Sequence, residues 1–114
     1  MDFKNLIVYQ KALAVKQEME VRVLSLPELD KNLKDQIRRA ATSIILNIAE
    51  GSSRFSSADR KNFFIISRGS VFECVSALEI VYQITNKRFE IIEQYLEEIS
   101  KMLFKMISTL AKKK

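Results

Sequence analysis

The chain has 114 residues, a formal net charge of +5 and 47% apolar residues, with only two glycines and one proline. That length suits one domain with its own hydrophobic core, and the composition argues against disorder and against a turn-rich all-β fold. One cysteine and no histidine exclude an internal disulfide and the usual zinc sites.

The first predicted helix runs from about residue 5 to residue 24. Its apolar positions follow one another at steps of four and three residues, which is typical of an amphipathic helix. These positions are Val8, Ala12, Val15, Met19 and Val23. Pro27 and Asp30, a candidate N-cap, predict a connection and the start of the next helix.

The second helix is predicted from about Lys31 to Glu50, with Gly51 as a left-handed residue just past its end. Apolar residues cover several of its sides, so we expect it to be buried. A polar stripe nevertheless follows steps of four, four and three residues, and it consists of Arg39, Ser43, Asn47 and Glu50. Buried polar groups need partners, and we expect this stripe to have them.

The connection at residues 51–57, GSSRFSS, leads into a third helix that is predicted to reach about Thr85. Ser56 with Asp59 resembles a capping box. An apolar seam is predicted at Phe64, Val71, Val75, Leu78 and Tyr82. Beside it lies a stripe of small residues, at which another helix can approach closely: Ser67, Ser70, Cys74 and Ala77.

The fourth helix, predicted over residues 90–112, has the most regular apolar seam of the chain, with steps of four and three residues from Ile92 to Leu110. Four helices of similar length with short connections predict an all-α fold. We expect residues 1–114 to form a single antiparallel, up-down-up-down four-helix bundle.

Catalysis is not indicated by any constellation of residues. Without histidine, the candidate groups are buried carboxylates, lysine, tyrosine or Cys74, and Cys74 lies where a small apolar residue is expected. The turn at residues 51–57 has the composition of a phosphate-binding loop but lacks its Gly-Lys-Ser/Thr ending, so we favour a helix stop followed by a cap. We therefore predict no catalytic residues, no cofactor and no metal.

Location is predicted from what the start of the chain contains. Met1 is followed by Asp2 and a mixed-charge segment rather than by a basic and then apolar leader. No apolar run approaches the length needed to cross a bilayer. These features predict a cytoplasmic protein with no membrane contact.

Charge is unevenly distributed along the chain. Residues 36–68 contain six basic and two acidic residues, residues 69–100 contain two basic and six acidic residues, and residues 101–114 contain five basic residues only. Such clusters can bind the phosphates of nucleic acid. The candidate contacts are Arg38, Arg54, Arg60, Lys61 and Arg68, together with the lysine tail at 112–114. Ion pairs within the protein remain an alternative for some of these arginines.

Residues 36–51, QIRRAATSIILNIAEG, followed by Arg54, Gly69-Ser70 and Glu73, resemble the four-helix-bundle family encoded in intervening sequences of bacterial 23S ribosomal RNA genes. Residues 3–12 are also similar, although that family usually has tryptophan where this chain has Tyr9. A more distant resemblance is to the accessory variability determinant of diversity-generating retroelements, a basic bundle that binds nucleic acid and a reverse transcriptase.

The resemblance implies a homo-oligomeric ring, typically a homopentamer, and neither relative is known as an enzyme. Surplus apolar and small residues on the second and third helices also predict subunit contacts there. We interpret the residues shared with the family motif as a structural polar network, which links the second helix to the third within or between subunits: Arg39, Ser43, Asn47, Glu50 and Glu73. Two functions remain open, namely binding of RNA or DNA and a scaffold that binds a partner protein.

Overall fold

The computed structural model describes residues 2–112, and helices are the only regular secondary structure within them. A short 3₁₀ turn at Asp2–Asn5 precedes helix α1 at Ile7–Glu18, which continues as a π-helical turn at Met19–Val23. Helix α2 spans Lys31–Ser53, α3 spans Ser57–Thr85 and α4 spans Glu90–Ala111. The predicted all-α four-helix bundle is confirmed.

Facing residues on neighbouring helices show that the helices alternate in direction. On α2 and α3, Ser43 lies against Ser70, whereas Gly51, later in α2, lies against Phe64, earlier in α3. The start of α1, at residues 5–8, lies beside residues 102–106 near the end of α4. The bundle measures 49 × 24 × 23 Å, so its long axis is set by its longest helix, α3.

Two of the predicted helix starts have the expected side-chain caps. Asp30 accepts a hydrogen bond from the backbone N–H of Leu33 at 2.8 Å, and Ser56 Oγ accepts one from the N–H of Asp59 at 3.1 Å. Each bond satisfies one of the free N–H groups of a first helical turn. Helix α3 ends at Asn86, whose φ of 60° is the left-handed conformation that closes a helix.

The core is formed by one buried stripe from each helix. The predicted positions of α1 and of the π-helical turn that continues it are all buried, namely Val8, Ala12, Val15, Met19 and Val23. Leu24, Leu26 and Leu29 in the following turn are also buried, and they close the core at that end. The small residues of α3 face α2, where Ser67 Oγ donates to the carbonyl oxygen of Ile44 at 2.8 Å. The predicted seam of α3 is correct at Phe64, Val71 and Leu78, but Val75 is exposed.

Gly51 does not end α2 as predicted. It is buried inside the helix, and α2 continues for two further residues to Ser53. A Cβ atom at Gly51 would lie 2.6 Å from Cε1 of Phe64, whose ring is 2% exposed. The glycine is therefore required for close packing of α3 on α2, and not for a left-handed backbone.

Candidate functional site: the α2–α3 face and the basic end of the bundle

The polar stripe of α2 does not lie in the core of the single chain. Arg39 and Glu50 are exposed, and Ser43 and Asn47 are half-buried. The prediction of a buried stripe is wrong because the residues that α2 buries, among them Ile37, Ile44 and Ile48, lie roughly a third of a turn away around the helix. Two of its residues instead border α3: Arg39 lines the groove between α2 and α3, and Ser43 contacts Ser70.

Part of the predicted polar network is present at this border. Ser43 is its centre, because its Oγ accepts hydrogen bonds from Ser70 Oγ at 2.7 Å and from Asn47 Nδ2 at 3.0 Å. Glu50 pairs with Arg54 at 2.9 Å, one turn further along the chain. Among residues 2–112, neither Arg39 nor Glu73 has a hydrogen-bond or ion-pair partner, so the network does not extend to them within one chain.

Arg39 and Glu73 line the groove between the two helices. Small side chains form the floor of the groove, where Ala40 and Ala77 are buried. Its rim carries exposed apolar side chains, with Phe72 49% and Ile80 48% exposed. The surface that we call the α2–α3 face consists of Gln36, Arg39, Ala40, Gly69, Phe72, Glu73, Ser76, Ala77 and Ile80.

Gly69 is an exposed glycine in the middle of α3, and a Cβ added to it would meet no atom within 4 Å. A glycine in a helix interior costs about 1 kcal/mol relative to alanine. Gly51 has a neighbour in the same chain that explains it, but Gly69 does not. The α2–α3 face thus combines an open glycine, exposed apolar rims and two charges that find no partner within residues 2–112.

Three of the five predicted nucleic-acid contacts have partners within the protein. Arg38 pairs with Glu20 at 2.9 Å and with Asp35 at 3.4 Å, and its hydrogen bond lowers the pKa of Glu20. The guanidinium of Arg54 pairs with Glu50 and lies 4.7 Å from the ring centre of Phe63.

Arg68 is the most constrained of the three. Its Nε donates to the carbonyl oxygen of Ser100 at 3.1 Å, and its guanidinium lies 4.8 Å and 5.1 Å from the ring centres of Phe72 and Phe104. Arg68 therefore joins α3 to α4, and of the five predicted residues it is the least available to a ligand.

Arg60 and Lys61 differ from those three residues, since neither side chain makes a hydrogen bond or ion pair within residues 2–112. The Nε atom of Arg60 is buried without a partner. Both residues lie near the start of α3, at the end of the bundle that also holds the end of α2, the start of α1 and the end of α4.

This end is basic. We call it the basic end and define it by its cations, which are Lys4, Arg54, Arg60, Lys61, Lys105 and Lys112. The acidic residues beside them are Asp2, Glu50 and Asp59.

The opposite end has more nearly balanced charges, many of them joined in ion pairs such as Arg22–Glu18, Lys31–Asp35 and Arg88–Glu79. Within residues 2–112, Arg54–Glu50 is the ion pair found at the basic end. Lys113 and Lys114 of the predicted tail lie outside the described residues.

Phe55, next to Arg54 in the connection between α2 and α3, is fully exposed. Sequence patterns alone did not single it out. The sequence does contain a feature that could have identified Phe55, because it is the one aromatic residue in the serine-rich segment 51–57. Phe72 was missed in the same way, since its neighbours Val71 and Val75 were assigned to the seam.

Cys74 is fully buried in the core. Burial and, to a smaller degree, the charge of Glu73 raise the pKa of its thiol to about 12. A thiol in this state is protonated near neutral pH and is a poor nucleophile.

Across residues 2–112, no group of three or more histidine, cysteine or acidic residues could hold a metal ion. No helix in the same range has both the length and the apolar character needed to cross a membrane.

The family model of the 23S rRNA-intervening sequence proteins matches residues 4–105 of the chain. The chain belongs to that family. The matched span includes the whole α2–α3 face and every cation of the basic end except Lys112.

The structure is also similar to a solved structure, that of a protein with unknown function from the S23 ribosomal protein family of Bacteroides thetaiotaomicron. The TM-score is 0.80 at 26% sequence identity, and the match covers 89% of this chain and 98% of that chain. No curated protein matches this chain.

Proposed function

We propose that this protein is a non-enzymatic homo-oligomeric module that binds RNA or DNA through phosphate contacts. The α2–α3 face supports the oligomeric part of the proposal, and the basic end supports the binding part. The resemblance to the family favours a homopentamer. Binding to nucleic acid in the cytoplasm, without a membrane, is the expected setting.

The open Gly69 is the observation that most favours self-assembly. A second copy packed on the α2–α3 face would occupy the space that Gly69 leaves empty, and it would bury Phe72 and Ile80. Small residues at a helix surface permit such close contact, and Ala40, Ser76 and Ala77 supply them here. Association would also give Arg39 and Glu73 partners that they lack within residues 2–112.

We expect Arg39 of one copy to pair with a carboxylate of the next, with Glu73 as that partner. Arg39→Glu should weaken association by roughly 30-fold, because one buried charge without a partner costs about 2 kcal/mol or more. The double variant R39E/E73R should recover most of the loss. Sedimentation over a dilution series measures the association constants of the single variant and of the double variant.

Two results of this charge exchange would contradict pairing of Arg39 with Glu73 between copies. If R39E dissociates no more readily than the wild type, or if the double variant is as weak as the single one, Arg39 and Glu73 do not pair between copies. Gln17→Glu, an exposed substitution on α1, is the control for a general effect of added negative charge.

The basic end supports phosphate binding because its cations outnumber its carboxylates and its ion pairing is sparse. Arg60 and Lys61 provide most of this support. Arg54 at this end, and Arg38 and Arg68 outside it, are proposed with less support, because a phosphate would have to replace the partners that each has within the protein. An assembly would present several basic ends to one ligand and so raise the effective affinity.

Reversing both charges, in R60E/K61E, should lower affinity for structured RNA and for duplex DNA by about tenfold or more at low salt. The dependence of log K on log salt should also become shallower, by roughly 0.7 to 0.9 for each phosphate that the variant no longer binds. Fluorescence anisotropy at two salt concentrations measures both effects. The oligomer should remain intact, because the two residues lie away from the α2–α3 face.

The matched control is K31E/K34E, which makes the same change of charge near the start of α2, at the opposite end of the bundle. Glutamate suits the start of a helix in both variants. Equal losses of affinity in the two variants would mean that net charge alone matters. Absence of wild-type binding even at low salt would rule out the nucleic-acid role.

A protein-binding scaffold is the second candidate function. It is favoured by the internal pairing of Arg38, Arg54 and Arg68, which leaves fewer cations free than the sequence predicts. In that case, R60E/K61E should leave nucleic-acid retention unchanged, and the positive charge would serve solubility.

A further inference from the structure

Phe55 has the highest relative exposure, 104%, of the exposed large apolar residues of the described chain. Its position is nevertheless fixed by the structure on both sides. Ser53 Oγ donates to the carbonyl oxygen of Glu50 at 2.9 Å, and Ser56 caps α3. The connection is thus short and held at both ends, and it presents one aromatic ring to solvent at the basic end.

Exposed apolar residues are common on protein surfaces and need no explanation singly. Phe55 differs from the exposed Phe72 and Phe104, whose rings are already contacted by the guanidinium of Arg68, because its ring is open to solvent and has cations close to it along the chain. Arg54 precedes it directly, and Arg60 and Lys61 follow within the first turns of α3. A ligand that fits this surface must offer a flat apolar face and negative charges at close spacing.

Single-stranded nucleic acid has both of these properties, because its bases are free to stack and each is followed by a phosphate. A duplex has the phosphates but keeps its base faces inside the stack, where a side chain on a rigid loop does not reach them. An anionic membrane surface is a poorer match. The ring is one apolar group among the hydroxyls of Ser52, Ser53, Ser56 and Ser57, and membrane anchoring needs a larger apolar surface.

We infer that the basic end binds single-stranded nucleic acid in preference to duplex, with an unpaired base stacked on Phe55 and the adjoining phosphates held by Arg54, Arg60 and Lys61. This inference rests on the proposed nucleic-acid function and specifies its ligand class. Stacking on an aromatic ring tolerates any base, so the binding has little sequence preference.

The test uses the absence of tryptophan from the chain. Phe55→Trp keeps a stacking ring at this position and makes it the only tryptophan. Titration of this variant with a 12-nucleotide uridine oligomer, a 12-nucleotide deoxythymidine oligomer and a 12-base-pair duplex shows directly whether the ring stacks. We expect the single strands to quench its fluorescence and the duplex to leave it almost unchanged.

Phe55→Leu keeps the apolar character of the residue but removes the aromatic face. Its affinity for the single strands should fall by roughly tenfold, while its affinity for duplex stays within twofold of the wild type. The control is Ile91→Ala, which shortens an exposed apolar side chain at the start of α4, at the opposite end of the bundle, and should leave both affinities unchanged.

Other results would overturn the inference. Equal single-strand affinity of Phe55→Leu and the wild type would show that Phe55 does not stack on a base, with the proposed function left standing. A fluorescence change of Phe55→Trp on phosphatidylserine vesicles, without one on the oligomers, would assign the ring to a membrane. If the wild type binds neither single strands nor duplex, both this inference and the proposed function fail.

Discussion

Gly69→Arg should convert the proposed assembly into monomers of 13.2 kDa. The substitution is compatible with the single chain, because nothing lies within 4 Å of the new Cβ atom and the site is exposed. Arginine is also a better helix former than glycine by about 0.7 kcal/mol. A copy packed closely on the α2–α3 face, however, would meet a long charged side chain where it needs an open surface.

Light scattering coupled to size-exclusion chromatography measures the change in mass. Far-UV circular dichroism of the same sample should show unaltered helix content, which separates loss of assembly from loss of fold. Gln17→Arg places the same side chain on an exposed position of α1 and should keep the wild-type mass. A Gly69→Arg protein that retains the wild-type mass, or a wild type that is already monomeric at micromolar concentration, would contradict the proposed interface.

Gly51→Ala should lower the free energy of unfolding by about 1 to 2 kcal/mol. The gain in helix propensity from removing a glycine is about 1 kcal/mol. It is outweighed by the collision of the new methyl group with the ring of Phe64, at 2.6 Å from Cε1 and 2.8 Å from Cδ1. The ring is almost fully buried and has little room to move, and overpacking of this kind costs up to about 3 kcal/mol. Urea titration at constant protein concentration measures the loss.

A double-mutant cycle with Phe64→Leu tests the cause. Phe64→Leu alone should destabilise the protein, because it removes part of a buried ring. In its presence, Gly51→Ala should cost clearly less than it does in the wild type, since the rigid ring and its nearest atom, Cε1, are gone. Additive losses would show that the cost of Gly51→Ala arises somewhere other than at Phe64.

The helices and their starts could be predicted from the sequence because they depend on local signals. Asp30 and Ser56 each lie three residues before the N–H that they cap, a relationship that can be seen in the chain itself. The spacing of Val8 to Val23 and of Ile92 to Leu103 likewise needs no knowledge of the neighbouring helices, and these residues are buried as expected.

Gly51 and the polar stripe were misjudged because several sides of α2 are apolar. Periodicity alone did not show which of them faces the core. The buried side passes through Ile37, Ile44 and Ile48, while Leu46, which is equally apolar, is 57% exposed. Gly51 was assigned to the helix end because glycine is common there. Its contact with Phe64 depends on how α2 and α3 pack, and the sequence does not give that packing directly.

The candidate cations were chosen from their number and position along the chain, and pairing is invisible at that level. Arg38 meets Glu20, 18 residues away, and Arg68 meets the carbonyl oxygen of Ser100, 32 residues away. Only the folded bundle shows that these arginines are engaged while Lys61 has no partner within residues 2–112. The same geometry reveals the basic end, which joins residues from four separate parts of the chain.

The alternating direction of the helices has a practical consequence for biochemical work. Asp2 and Lys112 both lie at the end of the bundle that carries Phe55, so an affinity tag or fusion partner joined next to either residue lies at the same end as that loop. A polyhistidine tag there would add its own ligand-binding groups and could mask the surface under study. A fluorophore attached in the connection at residues 86–89 would instead report from the far end, about 40 Å away along α3.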